Sequence, residues 1–284
     1  MNVNDIERDL DAIRESGLQW IDIIDDTLNV PVKRFEDLVN LMIRKKYGFK
    51  WACYFRCRDT TDEIARLMAE AGCDCVFLGV ESASPSILKA MNKKITREQI
   101  YRTIRAFKKA GVTIFASLIA GFPGETPETF QETSDMLQEA APDFYKTNLW
   151  ACHSVAPVWK KRREVGIKGS NFNWSHATMR SAQACDLMER QLISVDNSIY
   201  VPDGELWDMF YLVRQGWSIG EVKEYLKVFN TILRRKITEP DNEADPMLIE
   251  NARRLVLKKH EADAGLKVIH TPLLGEKPQM DHQS

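Results

Sequence analysis

This sequence has no long apolar run. Nowhere do 18 hydrophobic residues follow one another, so no predicted helix can span a bilayer. It has no excess of either charge. Lys and Arg number 39 against 41 Asp and Glu, a formal net charge of −2. That balance argues against an electrostatic nucleic-acid or membrane binder. The opening "MNVNDIERDLDAIRESG" is acidic and amphipathic, not the basic and then apolar pattern of a signal peptide. Cysteine is sparse, six in 284 residues. Without secretory signals, that predicts reduced thiols in a cytoplasmic protein. No three cysteines share one short loop. "WACYFRCRDTT" comes nearest, with Cys53 and Cys57 three residues apart and Thr60 where a third thiol would fall.

What is present is an alternation of two periodicities. Hydrophobic residues make up 44%, enough for a core of one barrel-sized domain with an appendage. A helix is predicted over 4–16, with Ile6, Leu10 and Ile13 on one face and Asn4 as its cap. "LQWIDII" reads as a strand, "RFEDLVNLMIRKK" as a helix, "WACYFRC" as a strand and "TDEIARLMAEAG" as a helix capped by Thr60 or Thr61. "CVFLGV" follows as a strand. "TREQIYRTIRAFKKAG" opens on a Thr96/Gln99 capping box. "TIFASLIAG" is a strand, "PETFQETSDMLQEA" a helix with Pro127 at its start, and "FYKTNLWA" a strand. Strands alternating with helices imply right-handed crossovers and a parallel sheet, an α/β fold. Chemistry in such sheets gathers at the strands' C-terminal ends. Here those ends read Asp25-Asp26, Arg56, Glu81-Ser82, Gly121 to Glu125, and Trp150 to His153.

Beyond residue 155 no further strand is predicted. A loop-rich stretch with Trp159 and Trp174 leads to helices at about 177–193, 204–215 and 219–235. Residues 156–240 form a helical cap in this reading. Residues 241–284 hold an acidic break, a charged helix at about 246–264 and a disordered tail.

The four cysteines 53, 57, 73 and 75 have a loose zinc-like spacing, which strand geometry excludes. Along a strand, Cys53 and Cys57 would lie ~13 Å apart, whereas ligands of one zinc ion sit ~4 Å apart. With Trp51 and Phe55 they form one face, expected against the helices, as buried small hydrophobes. Tyr54, Arg56 and Arg58 take the other face. No metal ligand is expected in the chain.

The stretch "VFLGVESASPSILKAMNKKITREQIYRTIRAFKKAGVTIFASLIAGFPGETPETFQET" resembles the radical S-adenosylmethionine superfamily, in the branch with many cobalamin-dependent members. The G-x-E-S, the L-x-x-M-N-K and the G-x-P-G-E-T occur in the family's order and spacing. "IDIIDDTLN" and "WACYFRCRD" resemble that branch's second and third strands, so the resemblance covers roughly residues 1–155. "WSHATM" resembles a segment of cobalamin-type radical methyltransferases. The resemblance implies a partial (β/α) TIM-like barrel with parallel strands, S-adenosylmethionine as ligand, and a [4Fe–4S] cluster held by a C-x3-C-x2-C loop. Cobalamin is an optional third cofactor in that branch. By resemblance, Asp25 and Asp26 lie near the methionine amino group and Arg56 faces the methionine carboxylate. Glu81 and Ser82 bond the ribose or the methionyl end. Ile119, Gly121 and the turn to Glu125 flank the adenine, and Asn148 and Trp150 close that side. His153 and His176 are candidates for the substrate cavity.

The cluster loop itself is missing from the sequence. The expectation is therefore an N-terminally truncated radical S-adenosylmethionine enzyme domain, not competent alone, modifying or methylating a secondary metabolite or peptide. A subunit or segment carrying the loop would be its partner. One alternative is a cluster-less binding or regulatory subunit of the same fold. The other is an unrelated (β/α) barrel using carboxylate acid/base chemistry. A barrel begun at its second strand also leaves an unpaired strand edge.

Overall fold

A computed structural model describes residues 3–24, 28–202, 211–213, 215–241, 245–251 and 253–254. Asp25, Asp26 and most of the helix expected at 204–215 lie outside the described residues. So does the expected disordered tail; of the helix expected at 246–264, the described residues 246–251 are helical.

Helices and strands alternate as the periodicities require. They run α1 (Val3–Glu15), β1 (Trp20–Ile23), α2 (Val32–Lys45), β2 (Lys50–Phe55), α3 (Asp62–Glu70) and β3 (Cys73–Glu81). Then come α4 (Pro85–Ala90), α5 (Arg97–Ala110), β4 (Thr113–Ala120), α6 (Pro127–Ala140) and β5 (Phe144–Leu149). Local chemistry sets the helix ends. Thr61, not Thr60, caps α3, its side chain accepting from the Ile64 N–H. Thr96 and Gln99 form the capping box of α5, which ends at Gly111 with φ +74°. The first helix begins at Val3, which corrects the expectation of a cap at Asn4.

The expectation of no strand beyond 155 is also corrected. A short hairpin, β6 (Lys168–Ser170) and β7 (Asn173–Ser175), precedes α7 (Ser181–Ser194). The two-residue strand β8 (Ile199–Tyr200) then pairs parallel to β5. Two residues are too few for an alternation to register. The helix α8 (Ile219–Thr238) follows. The resulting sheet has six strands in the order β1-β2-β3-β4-β5-β8, all pairs parallel, and it stays open, with β1 and β8 on its two edges.

The sheet's two faces differ. Trp51, Cys53 and Phe55 join Leu41, Met42, Met68 and Phe107 in the layer between sheet and helices. The inner face changes character along the strands. Near its N-terminal end it is closed: Ala52, Cys75, Phe77, Phe115 and Phe144 are buried together with Trp217, Val222 and Leu226. Tyr54, Phe77, Phe115 and Phe144 are register neighbours across four strands, and their rings touch in sequence. Each such buried ring contributes about 2 kcal/mol. Toward the C-terminal end the same face opens, and Gly79, Glu81, Ser117, Ile119, Lys146 and Asn148 are half-buried. The fold thus builds an aromatic floor beneath a polar rim.

Candidate functional site

Parallel strands bring all their C-terminal ends to one rim. Arg56, just past β2, is anchored through its backbone. Its N–H donates to Asn29 Oδ1 at 3.1 Å and its carbonyl accepts from Asn29 Nδ2 at 3.2 Å. The Arg56 side chain is exposed, with no ion pair among the described residues. Glu81 closes β3 at φ +64°, beyond a register slip between Gly79 and Glu81. Its Oε1 accepts from Lys93 Nζ at 3.0 Å, and the same ammonium donates to the Gly79 carbonyl at 3.1 Å. Ser82 is fully buried. Its hydroxyl lies 3.2 Å from Thr133 Oγ1 and accepts from the Ser84 N–H at 3.1 Å. Those bonds tie the β3 loop to α6 and leave the hydroxyl little capacity for a ligand.

The turn after β4 is built around a buried carboxylate. Glu125 has no exposed surface. It accepts the Gly121 N–H, while its Oε1 has no hydrogen-bond partner. Burial pushes its pKa up to about 7, against the pull of the Gly121 N–H. Gly121 has φ +84°, and a Cβ there would lie 2.3 Å from the Trp174 ring. Only glycine admits both the left-handed backbone and that indole. Trp174 stacks on His176, with centroids 5.2 Å apart and planes 11° apart. Its Nε1 donates to the Trp150 carbonyl at 2.7 Å.

His176 is buried, with Nε2 3.1 Å from the Gly121 carbonyl and Nδ1 3.1 Å from Thr178 Oγ1. Burial holds its pKa below the ordinary histidine value. A neutral ring donating from Nε2 to the carbonyl and accepting from Thr178 at Nδ1 satisfies both atoms. The hairpin is thereby clamped onto the turn. His153 is exposed and stands outside this cluster. Ile119 and Asn148 are register neighbours and face inward, half-buried.

The structure therefore groups Glu81, Ile119 and Asn148 on the inner rim, with Arg56 on the same face just past β2 and exposed. It assembles Gly121, Glu125, Trp150 and His176 into a cluster beside them. Asn29, Lys93, Trp174 and Lys146 went unassigned to the site in the sequence, although Asn29 and Lys93 fall inside the quoted IDIIDDTLN and L-x-x-M-N-K stretches. Asn29, Lys93 and Trp174 bond groups 27, 12 and 24 residues away, which local spacing does not show. Asp22 went unassigned as well. Opposite Ala52 in register, it has two buried carboxylate oxygens without hydrogen-bond partners, and burial raises its pKa to about 6.

The cysteines offer no metal site. Cys53, Cys57, Cys73, Cys75 and Cys152 are buried and only Cys185 is exposed. Burial pushes the Cys57 thiol up to about 12, and Cys73 and Cys75 well above the ordinary thiol value. Metal ligation needs thiolates. Among the described residues no three His, Cys, Asp or Glu side chains are grouped to hold a metal ion. A [4Fe–4S] cluster does not fit the residues present.

Residues 1–137 match the model of the Radical SAM superfamily. The chain is 30% identical over 146 residues to an uncharacterized methyltransferase of Pyrococcus horikoshii, covering 51% of this chain and 32% of that protein. It is 29% identical over 177 residues to the tRNA-2-methylthio-N(6)-dimethylallyladenosine synthase of Alkaliphilus oremlandii, covering 58% and 38%. The chain thus spans about a third of the length of these curated relatives. Among solved structures, the cobalamin-dependent S-adenosylmethionine radical enzyme OxsB with aqua-cobalamin bound superposes with a TM-score of 0.53. That match has 13% identity and covers 93% of this chain and 51% of OxsB. It shows a shared fold.

Proposed function

We propose, from the match of residues 1–137 to the Radical SAM superfamily model, that the rim of this chain binds S-adenosylmethionine within an enzyme that modifies a metabolite or peptide, by methyl transfer or a related reaction. The observation that carries this reading is the half-open inner rim. Its free polar groups match a zwitterion joined to a nucleoside. Arg56 offers a guanidinium without a carboxylate partner among the described residues, suited to the methionine carboxylate. Glu81, held in place by Lys93, faces the ribose or methionyl end. Ile119 and the Gly121 turn line the adenine side, and Asn148 and Trp150 bound it. Asp25 and Asp26 keep their assignment to the amino group. Ser82 is dropped as a ligand contact, because its hydroxyl already serves Thr133 and Ser84.

When bound, S-adenosylmethionine supplies the family's radical or methyl-transfer chemistry. The residues of this chain bind it, orient it and keep water from the aromatic floor. The cluster does not fit this chain's own donors, so its thiolates are assigned to a partner or segment outside this sequence. No residue here is assigned to cobalamin. The family match displaces the reading of an unrelated acid/base barrel. The missing thiolate triad favours, as second reading, a binding subunit that keeps the ligand site without the cluster.

Titration calorimetry with S-adenosylmethionine tests the rim. Saturable binding is expected, weakened about tenfold or more by Arg56→Ala and by Glu81→Ala. Tight binding that survives both substitutions contradicts the assignment.

A further inference from the structure

Four lysines among the described residues are half-buried: Lys45, Lys93, Lys146 and Lys223. Three hold carboxylates. Lys45 pairs with Glu7 and Asp11, Lys93 with Glu81, and Lys223 with Asp143. Lys146 has no ion pair or hydrogen bond to its ammonium among the described residues. Its stem is packed while its ammonium still meets solvent, so the charge stands available to an anion.

Its position is specific. Lys146 lies on β5 two residues beyond Phe144, so it shares the inner face and stands just above the aromatic floor. Ser117 on β4 is its register partner, and Gly79 on β3 is the partner of Ser117. The row Gly79–Ser117–Lys146 is ~10 Å long. Gly79 has no side chain to cover it. A Cβ there would approach Glu81 Oε1 at 3.2 Å and Lys93 Nζ at 3.6 Å. The row therefore presents an ammonium from Lys93, a hydroxyl from Ser117 and an unpaired ammonium from Lys146.

We infer that the molecule modified at this rim carries an anionic group, a carboxylate or a phosphate, which docks on Ser117 and Lys146 with Lys93 at its flank. The inference rests on the binding function proposed above. It is separate from the methionine carboxylate, because Arg56 follows β2, three strands and ~14 Å from β5.

The test uses two anions on the whole chain: inorganic phosphate, followed by 31P line broadening, and acetate, followed by saturation transfer to its methyl group. At least one should bind saturably, and the stronger of the two identifies the class. Lys146→Met should weaken that binding about tenfold, whereas Lys146→Arg should keep it within about threefold. S-adenosylmethionine affinity, measured in parallel, should be unchanged in both variants. Anion binding equal in the wild type and Lys146→Met overturns the inference, as does no binding of either anion. Loss of S-adenosylmethionine affinity in Lys146→Met also overturns it, because the lysine then serves the cofactor. A wild type that binds the anion but not S-adenosylmethionine refutes the cofactor assignment and leaves the anion site standing.

Discussion

At the scale of single residues, Glu125 links the site to stability. Its pKa rises from 4.5 to about 7 because the folded chain removes it from water. The sign follows from which state ionises first. Below pH 4.5 the carboxyl is protonated whether the chain is folded or not. As pH rises, the unfolded chain ionises and gains free energy, while the folded chain holds its proton until about pH 7. Stability should therefore fall across that window, by on the order of 3 kcal/mol, and level off above it. Asp22 adds a loss of the same sign between pH 3.8 and about 6. Urea denaturation at pH 5 and pH 8 measures this. In Glu125→Gln the fall should shrink to the Asp22 part. A variant with the wild-type pH dependence would show that Glu125 ionises freely in the folded state. The sequence pointed to Glu125 through G-x-P-G-E-T. It could not show that Trp174 and His176 pack over the turn, because 49 residues separate Glu125 from Trp174.

At the scale of elements, the short strand β8 depends on a side chain from α8. The Tyr200 N–H donates to Asn230 Oδ1 at 2.8 Å, and the Tyr200 carbonyl accepts from Asn230 Nδ2 at 2.8 Å. The neighbouring amides of Ile199 and Val201 donate to the carbonyls of Asp143, just before β5, and Tyr145, so Asn230 closes the outer edge. One amide side chain thus does the work of a seventh strand at that position. Asn230 is buried, and replacing it leaves both backbone groups without partners. Asn230→Ala should cost about 2–4 kcal/mol, read by denaturant unfolding, with faster hydrogen exchange at the Tyr200 amide. Unchanged exchange there would mean that the edge is protected another way. Longer elements were legible. The capping box at Thr96, Pro127 at the start of α6 and the periodicity of β2 to β5 are local signals. The inward turn of Tyr54 and the helix-side turn of Cys53 follow from a period of two.

At the scale of the whole molecule, the cysteines are spent on the core. Five of the six are buried, and none belongs to a ligand triad among the described residues. Anaerobic reconstitution of this chain with iron and sulfide should therefore yield well under one iron per chain. A value near four would contradict the reading that the cluster ligands lie elsewhere. The sheet edges also differ. Asn230 covers the edge at β8, whereas exposed Leu18 and Ile24 stand just before and just after the edge strand β1 in the chain. Apolar groups beside an open strand edge favour association.

The sequence by itself determined the alternation of strand and helix, the parallel sheet, the resemblance to the Radical SAM superfamily and the strand-end positions of Arg56, Glu81 and the Gly121–Glu125 turn. Each depends on residues close together in the chain or on a fixed period. It also pointed to Cys53 and Cys57 as core residues, and both are buried, although β2 ends at Phe55, before Cys57. Only the tertiary structure decided which polar groups remain available. Ser82 and His176 are satisfied by partners about 50 residues away, and Lys146 stands unpaired where three other half-buried lysines hold carboxylates. Whether a hydrogen bond is already made depends on what packs opposite, and that is set by chain crossings no local pattern records.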